Sequence, residues 1–344
     1  MAVAVTIDEA MLAESRAFNE VLEQLLAEQQ PVHQVPPEVS RTARREGRSI
    51  FPPPTFLPQA REIVAPTRAG ETRVRILAPE EEATGLYIHI HGGGWVLGCC
   101  DEQDERLWAL VEATGMCAVS VDYRRAPEDP YPAAPNDCED AVLWLLDHGL
   151  AELGVPERIT IGGESAGAHL AVTTLLRLRD RLSVKNTFLG ANLGFGVYDL
   201  SLTPSSRSWG ERGLVLTTPA MHWFGRCFTG DRDLEELRAP DLSPLYADLS
   251  DLPPALFTVG DQDPLIDDSL FMAARWRAAG NEAELDIWPE SAHGFTAFPL
   301  ALARAANEAQ YEFLRSAISR ERPASASPAR RGGPARRRRR SGRR

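Results

Sequence analysis

Ser165 is the residue whose surroundings most clearly indicate chemistry. It lies at the centre of Gly163-Glu164-Ser165-Ala166-Gly167, between a β-rich run at 158–162 and a run of helical character at 168–176. A serine on a sharp strand-to-helix turn projects its hydroxyl clear of the sheet, and the flanking glycines let neighbouring backbone pass without a Cβ clash. The helix that follows directs its N-terminal N–H groups toward developing negative charge. This pattern is typical of an activated serine nucleophile.

A glycine-rich segment earlier in the chain suits the same chemistry. His91-Gly92-Gly93-Gly94-Trp95 directly follows a strand predicted over 86–91. Three glycines at a strand end let backbone N–H groups point into a cleft, where they stabilise an oxyanion together with the N–H of Ala166. A tight turn is the alternative interpretation. Three consecutive glycines cost more unfolded-state entropy than a turn requires, which favours the functional interpretation.

Four aspartates crowd the loop that follows the strand predicted over 255–259, where a catalytic acid belongs. Asp267 and Asp268 stand at the start of the next helix, and capping and the helix dipole explain them adequately. Asp261 and Asp263 remain as candidates. Asp263 precedes a proline and is biased toward an extended conformation, which favours it without excluding Asp261.

One of the seven histidines is well placed to act as a general base. His293 alone follows the final predicted strand, in a loop whose small neighbours leave the imidazole room to move. His89 and His91 precede the glycines and suit structural roles. His169 lies one turn along the nucleophile helix, and His148 ends a helix, where a cation suits the dipole.

The elements that must position these residues alternate between strand and helix. Two strands joined by a turn at 69–71 come first, and strands and helices then follow in turn. Strands are predicted over 61–67, 72–78, 86–91, 117–123, 158–162, 188–197, 255–259 and 284–288, and helices over 105–113, 136–148, 165–180, 267–279 and 302–319. This alternation predicts an α/β fold with a mostly parallel, doubly wound sheet. Ser165, Asp263 and His293 follow strand ends in the chain order of the α/β-hydrolases.

The segments outside this alternation divide the chain. Residues 1–58 form an N-terminal cap segment, with a capping box over 6–9, a helical apolar stripe as far as Pro31 and irregular chain beyond. The stripe consists of Met11, Phe18, Val21, Leu22, Leu25 and Leu26. The core spans 59–320 and carries an apolar insertion at about 198–251, which we expect to form helical material over the carboxyl edge of the sheet; an extra packing helix is the alternative interpretation. Residues 321–344 are an arginine-rich tail, expected to be disordered.

The charge distribution limits the partners of the folded body. Formal net charge is −12, but residues 323–344 hold nine arginines and no acid, so the rest carries 28 basic and 49 acidic residues, a net of −21. Such an acidic body is not expected to bind nucleic acid or an anionic membrane. The basic tail is of a type that binds nucleic acid or acts as an address, but a dispensable tail is the favoured interpretation. The charge distribution does not determine the oligomeric state, and a homo-oligomer is among the states that it allows.

Composition also bears on compartment. The five cysteines are odd in number and form no C-x-x-C pair, which favours free thiols over a disulfide scaffold or a zinc site. Residues 1–9 lack the basic start of a signal peptide, and the uncharged run 83–100 holds two histidines and five glycines, which argues against a membrane span. We therefore expect a soluble, cytoplasmic protein.

The sequence resembles the hormone-sensitive-lipase-like esterases, the bacterial family IV carboxylesterases of the α/β-hydrolase superfamily. The resemblance extends from about residue 61 to about residue 319. The segments that carry it are 91–95, 123–128, 163–167, 243–245, 252–255, 263–265 and 293–295.

The resemblance implies roles for particular residues. Ser165 would be the nucleophile, His293 the base and Asp263, rather than Asp261, the acid. The oxyanion donors would be the N–H groups of Gly93, Gly94 and Ala166. The N-terminal helices and the insertion would cap the site, with Trp95, Trp209, Met221, Trp223 and Phe224 as candidates for lining the substrate pocket. Ordinary packing explains these five side chains equally well.

Three departures from the family pattern stand out. Glu164 replaces the commoner aspartate, Arg125 replaces a leucine, and Cys99-Cys100 follows the glycine loop where a small polar residue is usual. If the two thiols lie near the cleft, thiol reagents are expected to inhibit.

These observations predict a serine carboxylic-ester hydrolase for short- to medium-chain acyl esters. Its small-molecule substrate would pass through an acyl-enzyme, with no metal or organic cofactor. An acyltransferase or amidase using the same three residues is the first alternative. A non-catalytic ligand-binding protein on the same fold is the second, disfavoured because all three residues are present.

Overall fold

The sheet of this computed structural model, which describes residues 6–320, has eight strands. They run β1 Arg61–Thr67, β2 Gly70–Leu77, β3 Leu86–Ile90, β4 Cys117–Val121, β5 Ile159–Glu164, β6 Phe188–Gly194, β7 Ala255–Gln262 and β8 Ala283–Ala292. Their order across the sheet is β1-β2-β4-β3-β5-β6-β7-β8. β2 pairs antiparallel with both β1 and β4, and every other pair is parallel. The predicted α/β class with a mostly parallel, doubly wound sheet is confirmed.

Helices follow most of the strands. They run α1 Glu9–Ala27, α2 Pro37–Arg45, α3 Asp104–Thr114, α4 Ala133–Trp144, α5 Leu150–Leu153, α6 Ala166–Leu182, α7 Pro204–Ser208, α8 Thr218–Thr229, α9 Leu234–Leu237, α10 Ile266–Ala278 and α11 Ala301–Ser319. A π-helical turn, Leu145–Gly149, joins α4 to α5. None of the helices within residues 6–320 has the length and apolar character needed to cross a bilayer.

The central strands are covered on both faces. Every residue of β3, β4 and β6 is buried, as expected for parallel strands with helices on either side. The nucleophile helix α6 packs against α4 and the strands β3, β5 and β6, while α11 packs against α3 and β6. This burial holds the carboxyl ends of β3, β5, β7 and β8 at one edge of the sheet.

β7 and β8 are both longer than predicted, and their pairing is irregular. Gly260 pairs with Trp288, whereas the next partners are Gln262 and Ala292, so β8 contains two more residues than β7 over this step. Glu290, inside the irregular stretch, has a φ of 51°. The result is that the residues directly after the last pair are Asp263 and His293.

The N-terminal helix braces this irregular stretch. The Asn19 side-chain amide donates a hydrogen bond to the carbonyl oxygen of Glu290 at 3.0 Å, and Arg16 binds the Glu290 carboxylate at 3.2 Å. Asn19 is itself buried. The segment before the core is therefore packed onto the strand that leads to His293.

Several boundaries in the N-terminal segment and the hairpin differ from prediction. Helix α1 begins at Glu9 with Asp8 as its N-cap, because the Asp8 carboxylate accepts from the N–H of Met11; the predicted capping box, which starts two residues earlier at Thr6, is wrong. Val21 and Leu25 of the predicted apolar stripe are about half exposed. The turn of the first hairpin consists of residues 68–69 rather than the predicted 69–71, since Thr67 already pairs with Gly70.

The insertion at 198–251 contains three helices, α7, α8 and α9, as expected for helical material. The division into cap segment, core and insertion stays a prediction. The arginine-rich tail from residue 321 onward lies outside the described residues.

Candidate active site

Ser165 occupies the turn between β5 and α6 in a strained conformation. Its φ of 55° and ψ of −120° are unusual for a residue with a side chain, and such strain is common at a nucleophile. Its N–H donates to the carbonyl oxygen of Gly194 at 2.9 Å, which holds the turn against the end of β6. Helix α6 approaches β3 so closely that a Cβ on Gly167 would overlap the carbonyl oxygen of Ile90. The turn therefore requires glycine at that position.

The structure brings Ser165, His293 and Asp263 into one chain of hydrogen bonds. His293 Nε2 lies 3.1 Å from Ser165 Oγ, and His293 Nδ1 lies 2.8 Å from Asp263 Oδ2. Because a carboxylate only accepts, Nδ1 carries the proton and Nε2 is left to accept from the serine hydroxyl. Asp263 is 1% exposed, and its Oδ1 accepts from the N–H of Leu265 at 2.8 Å.

Asp261, the other candidate acid, is exposed and does not reach the imidazole. Its carboxylate accepts instead from the side-chain amide of Gln262 at 3.2 Å. Of the two aspartates that the residues alone left open, only Asp263 lies beside His293.

Two aromatic residues that were not predicted contact the His293 loop. Phe195, after β6, meets the imidazole edge-on with ring centroids 5.1 Å apart. Phe51, from the N-terminal segment, stacks on Phe298 and packs against Gly294, the residue after His293. Nothing in the local sequence of Phe51 indicates this contact, since it depends on how the segment folds back over the core.

The glycine loop presents unpaired N–H groups beside Ser165. Gly93 and Gly94 have φ values of 111° and 61°, and neither donates its N–H to any other group within the described residues. The N–H of Ala166, first residue of α6, has no acceptor within its own helix. All three match the donors that an oxyanion requires.

Buried histidines hold this loop from behind. His91 bonds the carbonyl oxygen of Gly92 through Nδ1 at 2.9 Å, and Tyr123 donates its hydroxyl to the His91 carbonyl oxygen at 2.9 Å. Burial lowers the pKa of His91 to about 4, so the ring is neutral at neutral pH. Arg125 donates to the Gly98 carbonyl oxygen at 2.7 Å, which gives this departure from the family pattern a role in fastening the loop.

His169 links the loop to the insertion. Its Nδ1 accepts from the indole N–H of Trp95 at 3.2 Å, and its Nε2–H donates to the carbonyl oxygen of Leu242 at 2.8 Å. Burial lowers its pKa to about 4. His91 therefore has the structural surroundings that the sequence suggested, and His169 has similar ones.

Glu164, directly before the nucleophile, is part of a buried ion pair. Arg106 Nη2 lies 2.6 Å from its carboxylate, and His89 Nε2 lies 3.5 Å away. Burial by itself would raise the pKa of Glu164, but the charge of Arg106, together with His89, outweighs it and lowers the pKa below the ordinary value. The acid that replaces the family's aspartate is therefore ionised and paired.

Ser165, His293 and the glycine loop open into a cavity of about 740 Å³. Its walls come from the N-terminal segment, the insertion and the core; among the predicted lining residues, Trp95, Met221 and Phe224 contribute. Trp209 and Trp223 do not, which corrects the prediction for both. The Trp209 indole donates to the carbonyl oxygen of Leu216, and Trp223 packs edge-on against Phe224.

Cys99 and Cys100, the third departure from the family pattern, lie outside this cavity. Both side chains are buried and neither lines the cavity, so the condition for inhibition by thiol reagents at the cleft is not met. Together with Asp122 they form the one group within residues 6–320 whose ligand atoms are close enough to hold a metal ion.

A sequence model of the α/β-hydrolase fold family matches residues 87–297, more than half of the chain. The chain belongs to this family. The carboxylic ester hydrolase LipN of Mycobacterium tuberculosis is 33% identical over 261 residues, covering 74% of this chain and 69% of LipN. The carboxylesterase NlhH of the same species is 31% identical, covering 77% of this chain and 84% of NlhH.

Solved structures of esterases have the same fold as this chain. An esterase from Pyrobaculum calidifontis superposes with a TM-score of 0.77 at 31% identity, covering 86% of this chain and 97% of that one. The resemblance to hormone-sensitive-lipase-like carboxylesterases is thereby confirmed, and the protein is an enzyme of this carboxylesterase group.

Gly94→Ala tests the glycine loop. A Cβ at this position would collide with the ring of Phe224, and the φ of 61° disfavours any side chain, so the loop must move and withdraw its N–H groups. We expect kcat/KM for p-nitrophenyl butyrate to fall at least about 100-fold with the fold retained by circular dichroism. Gly154→Ala is the matched control, since Gly154 has a φ of 67° but open space around it, and should keep full activity. Equal losses of kcat/KM in both variants would contradict the assignment of the glycine loop as the source of oxyanion donors.

Proposed function

We propose that the protein is a serine carboxylic-ester hydrolase in which Ser165, His293 and Asp263 form the catalytic triad. The observation that carries the proposal is the unbroken hydrogen-bond chain from Asp263 through His293 to Ser165 at the floor of the cavity. The enzyme group to which the chain belongs supports an ester as substrate.

Acylation begins when Ser165 Oγ attacks the ester carbonyl carbon. His293 Nε2 takes the hydroxyl proton, and Asp263 stabilises the imidazolium through Nδ1. The carbonyl oxygen becomes an oxyanion, held by the N–H groups of Gly93, Gly94 and Ala166. When the tetrahedral intermediate collapses, the bond from carbon to the alcohol oxygen breaks and His293 returns its proton to that oxygen.

Deacylation repeats the sequence with water as the nucleophile. His293 takes a proton from water, whose oxygen attacks the acyl carbon, and the same three N–H groups hold the second oxyanion. The bond from the acyl carbon to Ser165 Oγ then breaks, Oγ recovers its proton from His293, and the carboxylic acid leaves. Every proton transferred passes through one imidazole nitrogen, so no cofactor is needed in the cycle.

The apolar side of the cavity supports short- to medium-chain acyl groups. Side chains of the insertion form this wall, namely Leu200, Leu202, Leu216, Met221 and Phe224. The remaining space must also hold the alcohol part of the ester, which limits the acyl length.

Ser165→Ala tests the nucleophile. Removing the hydroxyl leaves His293 without a group to activate, and we expect kcat for p-nitrophenyl butyrate to fall at least about 10,000-fold. Ser183→Ala is the matched control, since Ser183 has nearly the same φ, 56°, at the other end of helix α6. The control should retain wild-type rates. Substantial activity in Ser165→Ala would overturn the proposed nucleophile.

Asp263→Asn tests whether Asp263, rather than Asp261, is the catalytic acid. An amide cannot hold the imidazole in the required tautomer or stabilise its charged form, so we expect kcat to fall about 10,000-fold. Asp261→Asn should leave the rate unchanged, because Asp261 is exposed and bonded to Gln262. If Asp261→Asn were the more damaging variant, the acid would be misassigned.

Met221→Trp tests the apolar wall as the acyl site. The larger indole reduces the space along the apolar wall of the cavity, so rates are measured across p-nitrophenyl esters of increasing acyl length. We expect the ratio of kcat/KM for octanoate to that for acetate to fall at least about tenfold. His222→Trp, an exposed neighbour on helix α8, should not change this ratio. An unchanged profile in Met221→Trp would place the acyl chain elsewhere.

A further inference from the structure

Two adjacent thiols and one carboxylate meet behind the glycine loop. Cys99 and Cys100 end this loop, and Asp122 directly follows β4; their ligand atoms all lie within 4.8 Å of one another. Cys99 is 6% exposed and Cys100 is fully buried. This group is not evident from the sequence, because Asp122 comes from a different element and the cysteines lack the spacing of a zinc motif.

Hydrogen bonds orient the carboxylate toward the sulfurs. Asp122 Oδ1 accepts from the Cys99 thiol at 3.2 Å and from the Cys100 N–H at 3.3 Å. Asp122 Oδ2 accepts instead from Arg73 Nε at 3.0 Å, and Arg73 Nη2 reaches Cys99 Sγ at 3.1 Å. One carboxylate oxygen therefore contacts the Cys99 thiol and the Cys100 backbone N–H, while Arg73 binds the other oxygen.

We propose that Cys99, Cys100 and Asp122 form a binding site for a thiophilic divalent cation, of which Zn²⁺ is the type. Two sulfurs and one oxygen supply three ligands of the kinds that Zn²⁺ accepts, and water completes a tetrahedron. Arg73 acts as an outer partner that orients the carboxylate. This site is separate from the catalytic cavity and does not depend on the proposed hydrolysis.

Charge and proton balance are consistent with the site. The cation displaces one proton from each thiol, and both protons leave to solvent. Two thiolates, one carboxylate, the Arg73 guanidinium and the divalent cation then sum to zero. The hydrogen bond to Cys99, burial and the charge of Asp122 raise the pKa of the Cys100 thiol, so the cation must displace its proton on binding. Binding should therefore weaken as pH falls. The titratable and charged groups that face the pair are Arg45, Arg73, His91, Asp101 and Asp122.

The position of this site between two elements predicts that a bound cation stabilises the fold. A cation there would join the segment after the glycine loop to the end of β4, two elements that hydrogen bonds already connect at this point. Because the cation would bind the folded chain only, saturating Zn²⁺ should raise Tm by about 3 °C.

The test measures Zn²⁺ binding to the full-length protein with its thiols kept reduced, by competition with a chromophoric chelator. We expect one equivalent bound by the wild type, and affinity at least about 100-fold weaker in Cys99→Ser and in Cys100→Ser. Asp122→Asn, which keeps an oxygen for the Cys100 N–H, should also bind more weakly. Cys227→Ser, at a half-buried thiol on helix α8, is the matched control and should bind as the wild type does.

Co²⁺ substitution gives an independent readout. A thiolate-to-metal charge-transfer absorption is expected in the wild type and in Cys227→Ser, and it should disappear in the Cys99→Ser Cys100→Ser double variant. Absence of stoichiometric binding by the wild type, or equal binding by the double variant and the wild type, would overturn the proposal. Circular dichroism of each variant separates loss of the site from loss of the fold.

Discussion

The irregular pairing of β7 with β8 is the constraint on which the rest of the site depends. Had the register continued unbroken from Gly260 and Trp288, Asp263 would face a residue two positions before His293. The extra residues in β8 remove this offset, so that Asp263 and His293 follow the last pair directly. Bulges that aim side chains in this way are common beside active sites. The hydrogen bond from Asn19 to Glu290 shows that the N-terminal segment contributes to this geometry as well as lining the cavity.

The second constraint is close packing at the edge of the sheet where β3 and β5 end. Helix α6 can begin against Ile90 only because residue 167 has no side chain, and this approach sets Ser165 beside the glycine loop. The loop is in turn fixed by neutral buried histidines, whose pKa values are held near 4 by burial. Both rings are therefore uncharged at neutral pH. Donors aimed before the reaction starts cost no reorganisation when the oxyanion forms.

Much of this could be predicted from the sequence because the signals are local. The strand-turn-helix pattern around Ser165, the three glycines and the alternation of elements each depend on neighbours in the chain. The choice between Asp261 and Asp263 depends on where β7 ends, three residues beyond its apolar run, and pairing with β8 decides that. The residues alone therefore left it open.

Features that depend on long-range contact were missed or misjudged. Phe51 reaches the His293 loop only because the N-terminal segment folds back, and Trp209 turns its indole to a backbone carbonyl rather than to the cavity. Val21 and Leu25 fit the predicted apolar stripe of α1, yet both side chains are about half exposed. The stripe is therefore wider than the face that α1 buries against the core. The convergence of Asp122 with two cysteines likewise requires the fold.

The most direct test of the central claim is a crystal structure of the protein after reaction with a p-nitrophenyl phosphonate, which mimics the tetrahedral intermediate. We expect a phosphorus bond to Ser165 Oγ, with the phosphoryl oxygen about 2.7–3.1 Å from the N–H groups of Gly93, Gly94 and Ala166. His293 Nε2 should face the bonded oxygen. Modification of a different residue, or a phosphoryl oxygen directed away from the glycine loop, would contradict the account.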